Sequence, residues 1–247
     1  MLETDDLTIR FGGHVAIDRV SCAFEAGTLT AIVGPNGAGK TTWFNLISGQ
    51  LRATSGRVRL HGVDITAEGP AARTHRGIGR AFQLTQLFPG LPVRENVRLV
   101  VQSRARFGLN LWSVWCDRRD ALDRTQALLE QVRLAGQADR LAGNLPHGDQ
   151  RKLEVAMLMA LEPQVFMFDE PTAGMSADEV PVVLDLIRAL KARRDCAILL
   201  VEHKMDVVRE LADRIVVLHN GQLVADGEPG IVIASPIVQQ AYLGLAA

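Results

Sequence analysis

Gly34-Pro35-Asn36-Gly37-Ala38-Gly39-Lys40-Thr41-Thr42 decides how this chain is read. An apolar run, Leu29 to Val33, leads into it, and Thr42 to Ser48 reads as a helix leaving it. Strand, glycine-rich loop and helix in that order form the context of a phosphate-binding P-loop. The glycines let the backbone wrap closely enough for its amides to face phosphate oxygens. The start of the helix adds partial positive charge at the same place. Lys40 has the reach to touch the outer phosphates of a nucleoside triphosphate, and the Thr41 hydroxyl is suited to a magnesium ion. The alternative, a glycine-rich turn with an incidental lysine, leaves the flanking strand and helix unexplained.

Upstream of the loop, residues 7–11 alternate as a strand, Gly12-Gly13 turns, and residues 14–24 read as a second, antiparallel strand. Downstream, Thr54-Ser55-Gly56 turns into a short strand, Arg57 to Leu60, and Pro70 opens a short helix over 70–76. From Pro92 to about Leu161 the pattern is helical. Val93, Val97, Val100 and Val101 keep one apolar face, and Leu122, Leu128, Leu129 and Val132 keep another. Beyond Pro163, strands and helices alternate: Val165 to Phe168, 178–192, Ala197 to Val201, 205–211 and Arg214 to Leu218. Those strands are nearly continuous apolar runs, as in a parallel sheet covered on both faces. Asn220-Gly221 then marks a hairpin, and the tail from Glu228 to Leu245 reads as two short helices. The fold class is therefore α/β: a P-loop core with a parallel sheet, an N-terminal antiparallel β subdomain and an inserted helical subdomain. The whole chain, 1–247, reads as one domain, with 1–91 and 162–247 as the core and about 92–161 as the helical part.

Composition narrows the partners. Hydrophobic residues make up 47% and charged residues 22% of the 247, and the net charge of −1 provides none of the basic excess a nucleic-acid binder carries. Cys22, Cys116 and Cys196 lie far apart without metal-ligand spacing, which points to reduced thiols and a cytosolic setting. No apolar run approaches the ~20 residues needed to span a bilayer. The expectation is a chain that is soluble by itself and is still able to dock on a membrane partner.

Two further segments bear on phosphate chemistry. Val165-Phe166-Met167-Phe168-Asp169-Glu170 is an apolar strand ending in paired acids. Delivered beside the P-loop, Asp169 can hold magnesium directly or through water, and Glu170 can orient or deprotonate an attacking water. Val201-Glu202-His203 ends another apolar strand; His203 either donates to a γ-phosphate, bridges the catalytic water, or is a surface histidine. Gln83, after Phe82, either contacts the metal or water or is plain surface polarity.

In this order the pieces resemble the nucleotide-binding subunit of ATP-binding cassette (ABC) transporters, over essentially the whole chain. The long interval between Lys40 and Asp169 fits a core interrupted by a helical subdomain. The resemblance implies ATP and Mg2+ as ligands. It makes Phe11 the aromatic that stacks on adenine, and Gly34, Pro35, Asn36, Gly37, Ala38, Gly39, Lys40, Thr41 and Thr42 the Walker A loop. Val165 to Asp169 becomes Walker B and Glu170 the catalytic base. Gln83 falls in the Q-loop, as a metal and water contact, and His203 in the switch loop. Leu145-Pro146-His147-Gly148-Asp149 falls on the signature motif, which in this family contacts the ATP of the opposite subunit. It departs from the usual Leu-Ser-Gly-Gly-Gln: Pro146 has no hydroxyl, His147 replaces a glycine and Asp149 the glutamine. Gly148 at a helix start survives as an anion contact. Ser176 stands where the family's D-loop usually has Asp.

A narrower similarity lies in Leu-Thr-Ile-Arg-Phe-Gly-Gly at the opening, Gly-Asp-Gln-Arg-Lys-Leu-Glu at 148–154, Ala-Gly-Met at 173–175, Val-Glu-His-Lys-Met at 201–205, and the end, Pro236-Ile237-Val238 to Ala241-Tyr242-Leu243-Gly244. These are similar to the ATPases of branched-chain (hydrophobic) amino acid importers, the LivG type, with urea and amide importers close by. The partners so implied are a second ABC ATPase subunit, homo- or heterodimeric, transmembrane permease subunits and, indirectly, a periplasmic or extracellular solute-binding protein. No nucleic acid is implied, and the place is the cytoplasmic face of the membrane. Phe82, Leu84, Leu87 and Phe88 either receive the permease or pack the subdomain boundary. Two other readings are an ABC ATPase acting on nucleic acid or ribosomes, which usually carries coiled-coil inserts or two cassettes, and an inactive cassette, which the presence of Lys40, Glu170 and His203 opposes.

Overall fold

The structure, a computed structural model, describes residues 1–81, 87–104, 119–236 and 238–239. They fall into two compact units. The first comprises residues 1–80, 164–170 and the chain from 190 onward; the second comprises 81–163 and 171–189.

Two sheets build the first unit. In one, β1 (Leu2–Phe11), β2 (His14–Phe24), β4 (Ser55–Leu60) and β5 (Val63–Asp64) run in the order β2-β1-β4-β5, with antiparallel pairing throughout. In the other, β3 (Leu29–Val33), β6 (Ile78–Ala81), β7 (Val165–Asp169), β8 (Ala197–Val201), β9 (Arg214–His219) and β10 (Gln222–Gly227) run in the order β10-β9-β3-β8-β7-β6. Strands β7, β8, β3 and β9 are parallel neighbours, and β10 returns antiparallel through Asn220-Gly221. Both turn residues have positive φ, 48° and 76°, as a two-residue hairpin of this hand requires.

The continuous apolar runs have a simple cause. Every residue of β3, β7 and β8 is buried, because each face of the parallel sheet meets its own layer. Successive side chains point to opposite faces. Ile32, Met167, Leu199, Val201, Val216 and Leu218 join a core that also holds Trp43, Phe44, Leu46 and Ile47 of α1 (Lys40–Ile47) and Leu7, Ile17 and Phe24 of the antiparallel sheet. Ala31, Val33, Ile215 and Val217 meet Val208 of α7 (Met205–Leu211) and Val232 of α8 (Pro229–Ala234) on the opposite side. The P-loop helix is thus wedged between two sheets. Burying side chains such as Trp43 and Phe44, both 0% exposed, contributes roughly 1.5–3 kcal/mol each. The helix begins at Lys40, two residues before the position expected from Thr42, because Gly39 is its N-cap. Its other end is held by Arg73 of α2 (Pro70–His75), which is buried and donates to the carbonyls of Leu46 and Ile47.

The second unit is helical. α3 (Val93–Arg104), α4 (Arg119–Gln131) and α5 (His147–Ala160) pack on one another, with short 3-10 turns at Ala135–Gln137 and Ala142–Asn144. Val93, Val97, Leu128, Leu129 and Val132 are buried as their spacing predicts, Val100 and Val101 are half-buried, and Leu122, in the first turn of α4, is 38% exposed. Asn96 is wholly buried and organises the turn before α3: its Oδ1 accepts from Phe88 N, and its Nδ2 donates to the carbonyls of Phe88 and Pro92. Residues 171–189 group with this unit. The reason is local: the segment folds against the start of α5, with the Glu179 carboxylate on Gly148 and the His147 ring near Gly174. α6 (Val180–Ala192) begins within that segment.

Candidate functional site: a phosphate-binding cleft in the first unit

The loop between β3 and α1 is shaped by glycines that nothing larger could replace. Gly34 passes so close to β9 that a Cβ there would lie 2.2 Å from the Leu218 carbonyl oxygen. Gly39 has φ +101°, and a Cβ would meet the Ile17 side chain at 2.7 Å and the Ala16 carbonyl at 2.8 Å. The loop is fixed from outside by a hydrogen bond from Gly221 N to Ala38 O. At the head of α1, Lys40 is buried, and its Nζ donates to the carbonyls of Gly34 at 2.7 Å and Pro35 at 2.9 Å. The ammonium is therefore held inside the loop's own curve, where phosphate oxygens would compete for it. Burial lowers its pKa, opposed by the nearby Glu170 and Asp169 carboxylates.

Phe11, His14, Asn36, Gly37, Lys40, Thr41, Thr42, Glu170 and His203 line one cleft. Phe11 stands at the end of β1, 49% exposed, and so offers a free aromatic face at the cleft's rim. His14 was not foreseen from the sequence. It pairs with Phe11 across the β1–β2 turn, as the residues flanking a two-residue hairpin loop at Gly12-Gly13 do.

Asp169 and Glu170 leave β7 side by side but are held differently. Asp169 ends the strand at 2% exposure, with Oδ2 accepting from Arg80 Nη2 at 2.8 Å. Its Oδ1 is buried and has no hydrogen-bond partner among the described residues. Burial pushes its pKa up, against the lowering effect of Arg80. Glu170 turns away into the left-handed region with φ +51°, while its N–H still bonds to Val201 O at 2.9 Å. A non-glycine residue in that conformation costs about 1–3 kcal/mol and persists where the surroundings over-determine it. Here the turn aims the carboxylate at His203, whose Nε2 lies 2.9 Å from Glu170 Oε1. The next strand, β8, ends at Val201 beside Asp169 in the parallel register, so it delivers His203 to the same edge. Acid and imidazole thus arise from neighbouring strands that stop together.

These atoms fit a divalent cation bound with nucleotide. Magnesium takes oxygen ligands and usually one or two carboxylates together with phosphates. Buried carboxylate oxygens are nearly always hydrogen-bonded, so the orphaned Asp169 Oδ1 is the observation that fits a metal or its bound water. Gln83 and the apolar residues Phe82 and Leu84 lie outside the described residues. Phe88 is described and 51% exposed.

The signature segment belongs to the second unit. α5 starts at His147, with Pro146 as N-cap and Gly148 buried in its first turn. The Glu179 carboxylate packs on Gly148; a Cβ there would fall 1.9 Å from Oε1. Glu179 Oε2 also accepts from the N–H and hydroxyl of Ser176, at 3.1 and 2.9 Å. The N–H groups of Glu179 and Val180 donate to the Ser176 carbonyl, so Ser176 and Glu179 close the turn that leads into α6. Asp149 is engaged elsewhere: it accepts from Gln137 Nε2 and Lys152 Nζ, both at 2.8 Å. Burial alone would raise its pKa, but those donors hold it below the ordinary range.

The ABC transporter family profile matches residues 17–173. The chain is 38% identical to the high-affinity branched-chain amino acid transport ATP-binding protein BraF of Pseudomonas aeruginosa, over 100% of this chain and 98% of the relative. It is also 38% identical to LivG of Escherichia coli, named in the same words, over the same shares. Among solved structures, the ADP conformation of MJ1267, an ATP-binding cassette of an ABC transporter, superposes with a TM-score of 0.84 at 31% identity, covering 99% of each chain.

Proposed function

This chain belongs to the ABC transporter family, and from that premise we propose that it is the ATP-hydrolysing subunit of an importer for branched-chain or other hydrophobic amino acids. The observation that carries the catalytic part is the Glu170 Oε1–His203 Nε2 contact at 2.9 Å, in the cleft that also holds the Lys40 loop. The loop amides and the Lys40 ammonium grip the β- and γ-phosphates, and Phe11 stacks on the base. Glu170 takes a proton from the attacking water as its oxygen bonds to the γ-phosphorus, and the bond to the bridging oxygen breaks to leave ADP and phosphate. His203 holds Glu170 in place and faces the γ-phosphate. Thr41 and Asp169, with Gln83, would hold a magnesium ion, whose charge would supply neutralisation of the phosphate oxygens.

Two copies of such a site close over nucleotide, each receiving the Gly148 end of α5 from a second ATPase subunit. That closure works on transmembrane permease subunits at the cytoplasmic face of the membrane. Among the described residues no helix is long and apolar enough to cross a membrane, so the energy has to reach the solute path through a partner. The solute assignment rests on the full-length similarity to BraF and LivG. The test is affinity purification of the tagged chain from membranes of its own cell, followed by reconstitution with the permease that accompanies it. ATP-dependent leucine or isoleucine uptake that is lost with Lys40→Ala is the expected result. A permease that moves urea or amides and not leucine overturns the solute; purification without a permease overturns the transport role.

A further inference from the structure

One buried arginine joins the two elements that would supply magnesium ligands. Arg80 lies on the edge strand β6, and its side chain is 6% exposed. Through Nη2 it holds Asp169 Oδ2 at the end of β7, at 2.8 Å. Through Nη1 it donates to Asn45 Oδ1 at 2.6 Å and Ser48 Oγ at 2.9 Å, both in the P-loop helix segment. The guanidinium carbon also sits 5.5 Å from the centre of the Phe44 ring. Thr41 precedes Asn45 by one helical turn, so the two share a face of α1. The arginine therefore grips the Thr41-bearing face of the helix with one nitrogen and Asp169 with the other.

We propose that Arg80 is a positioning residue that sets the spacing between Thr41 and Asp169 and turns Asp169 Oδ1 toward the metal. The proposal rests on the nucleotide-site reading given above. With Oδ2 held by Arg80, the oxygen left over is the one without a hydrogen-bond partner among the described residues. A planar fork is suited to this because its donors are fixed at an angle to one another, while lysine offers a single mobile ammonium. Partners held one step behind a metal ligand tune affinity for the ion by about 10–100-fold. The sequence showed only an arginine near a strand end; its acceptors are contributed by residues far away along the chain.

The test uses the full chain with ADP, and Mn2+ as a spectroscopic stand-in for Mg2+. Electron paramagnetic resonance measures free Mn2+ during titration of the ADP complex, and fluorescence measures ADP affinity in EDTA. Arg80→Lys keeps the charge and loses the fork. Asn45→Ala with Ser48→Ala releases the helix end and leaves the arginine beside Asp169. Both are expected to weaken Mn2+ binding about tenfold or more, with metal-free ADP affinity within about twofold of wild type. If Arg80→Lys does not fold, the helix-side pair of substitutions decides the matter. Unchanged Mn2+ affinity in that pair overturns the proposal, as does an equal loss of metal-free ADP binding. Wild-type protein that binds no ADP overturns the nucleotide-site reading itself, and this inference with it.

Discussion

Replacing Arg73 by methionine should destabilise the first unit by about 3 kcal/mol. Arg73 is 2% exposed, and its guanidinium meets four backbone carbonyls: Leu46 and Ile47 at 2.6 and 2.7 Å, Thr66 at 2.9 Å and Glu68 at 3.0 Å. Two of these carbonyls close the C-terminal end of the P-loop helix, where a cation also suits the helix dipole. Hydrogen bonds from a charged donor contribute roughly 1.5–3 kcal/mol each, so four would total far more than the expected effect. The difference is the desolvation of the guanidinium, several kcal/mol, which methionine avoids. Methionine fills similar volume, so little cavity cost is added. For a chain of this size, about 3 kcal/mol corresponds to a fall in Tm of about 6–12 °C. Thermal unfolding followed by circular dichroism, with and without ADP, measures it, and Arg73→Lys should fall between methionine and wild type. Arg73→Met within about 0.5 kcal/mol of wild type would refute the reasoning, because it would mean that the four carbonyls find water or one another at no cost.

Two other predictions concern a glycine and a thiol. Gly39→Ala places a Cβ 2.8 Å from the Ala16 carbonyl at a φ of +101°, so nucleotide binding measured by fluorescence should fall at least about tenfold, equivalent to 1.4 kcal/mol, and retained affinity would show that the loop tolerates another shape. Cys22 is buried, and burial pushes its thiol from 9.0 to about 12. The folded state therefore keeps the proton longer than the unfolded chain does. The stability this gives is complete below pH 9 and is lost as pH rises towards 12. Wild type should lose Tm over that window faster than Cys22→Ala, and parallel pH profiles would contradict the assignment.

Much of this architecture could be read in one dimension because its causes are contiguous. The loop from Gly34 to Thr42 carries strand exit, glycines, cation and hydroxyl in nine adjacent residues. The buried strands announce themselves as unbroken apolar runs because both faces of the parallel sheet are covered. Asn220-Gly221 names its own turn. Other features depend on residues that meet only in three dimensions. Arg80 draws its acceptors from Asn45, Ser48 and Asp169, and no periodicity connects them. Arg73 caps a helix that ends more than twenty residues earlier, with carbonyls that every residue possesses and no sequence pattern marks. The left-handed turn at Glu170 is imposed on a non-glycine residue by its surroundings, so its conformation is invisible to residue type. Leu122 shows the opposite failure: its spacing puts it on the face of buried Leu129, but it stands in the first turn of α4 and is 38% exposed. The altered signature shows a third case, in which Asp149 looked like a lost glutamine contact but is held by Gln137 and Lys152.

Hydrolysis by the Glu170–His203 pair of a nucleotide held by the Lys40 loop is the central proposal for this chain. Its most direct test is ATP binding and turnover of the purified chain beside Glu170→Gln, with size-exclusion chromatography in ATP. Glu170→Gln removes the proton acceptor and leaves the loop untouched. It should bind ATP as wild type does, lose turnover by about 100-fold or more, and elute as a nucleotide-trapped dimer. Wild-type turnover in Glu170→Gln, or an ATP-bound variant that stays monomeric, would contradict the account.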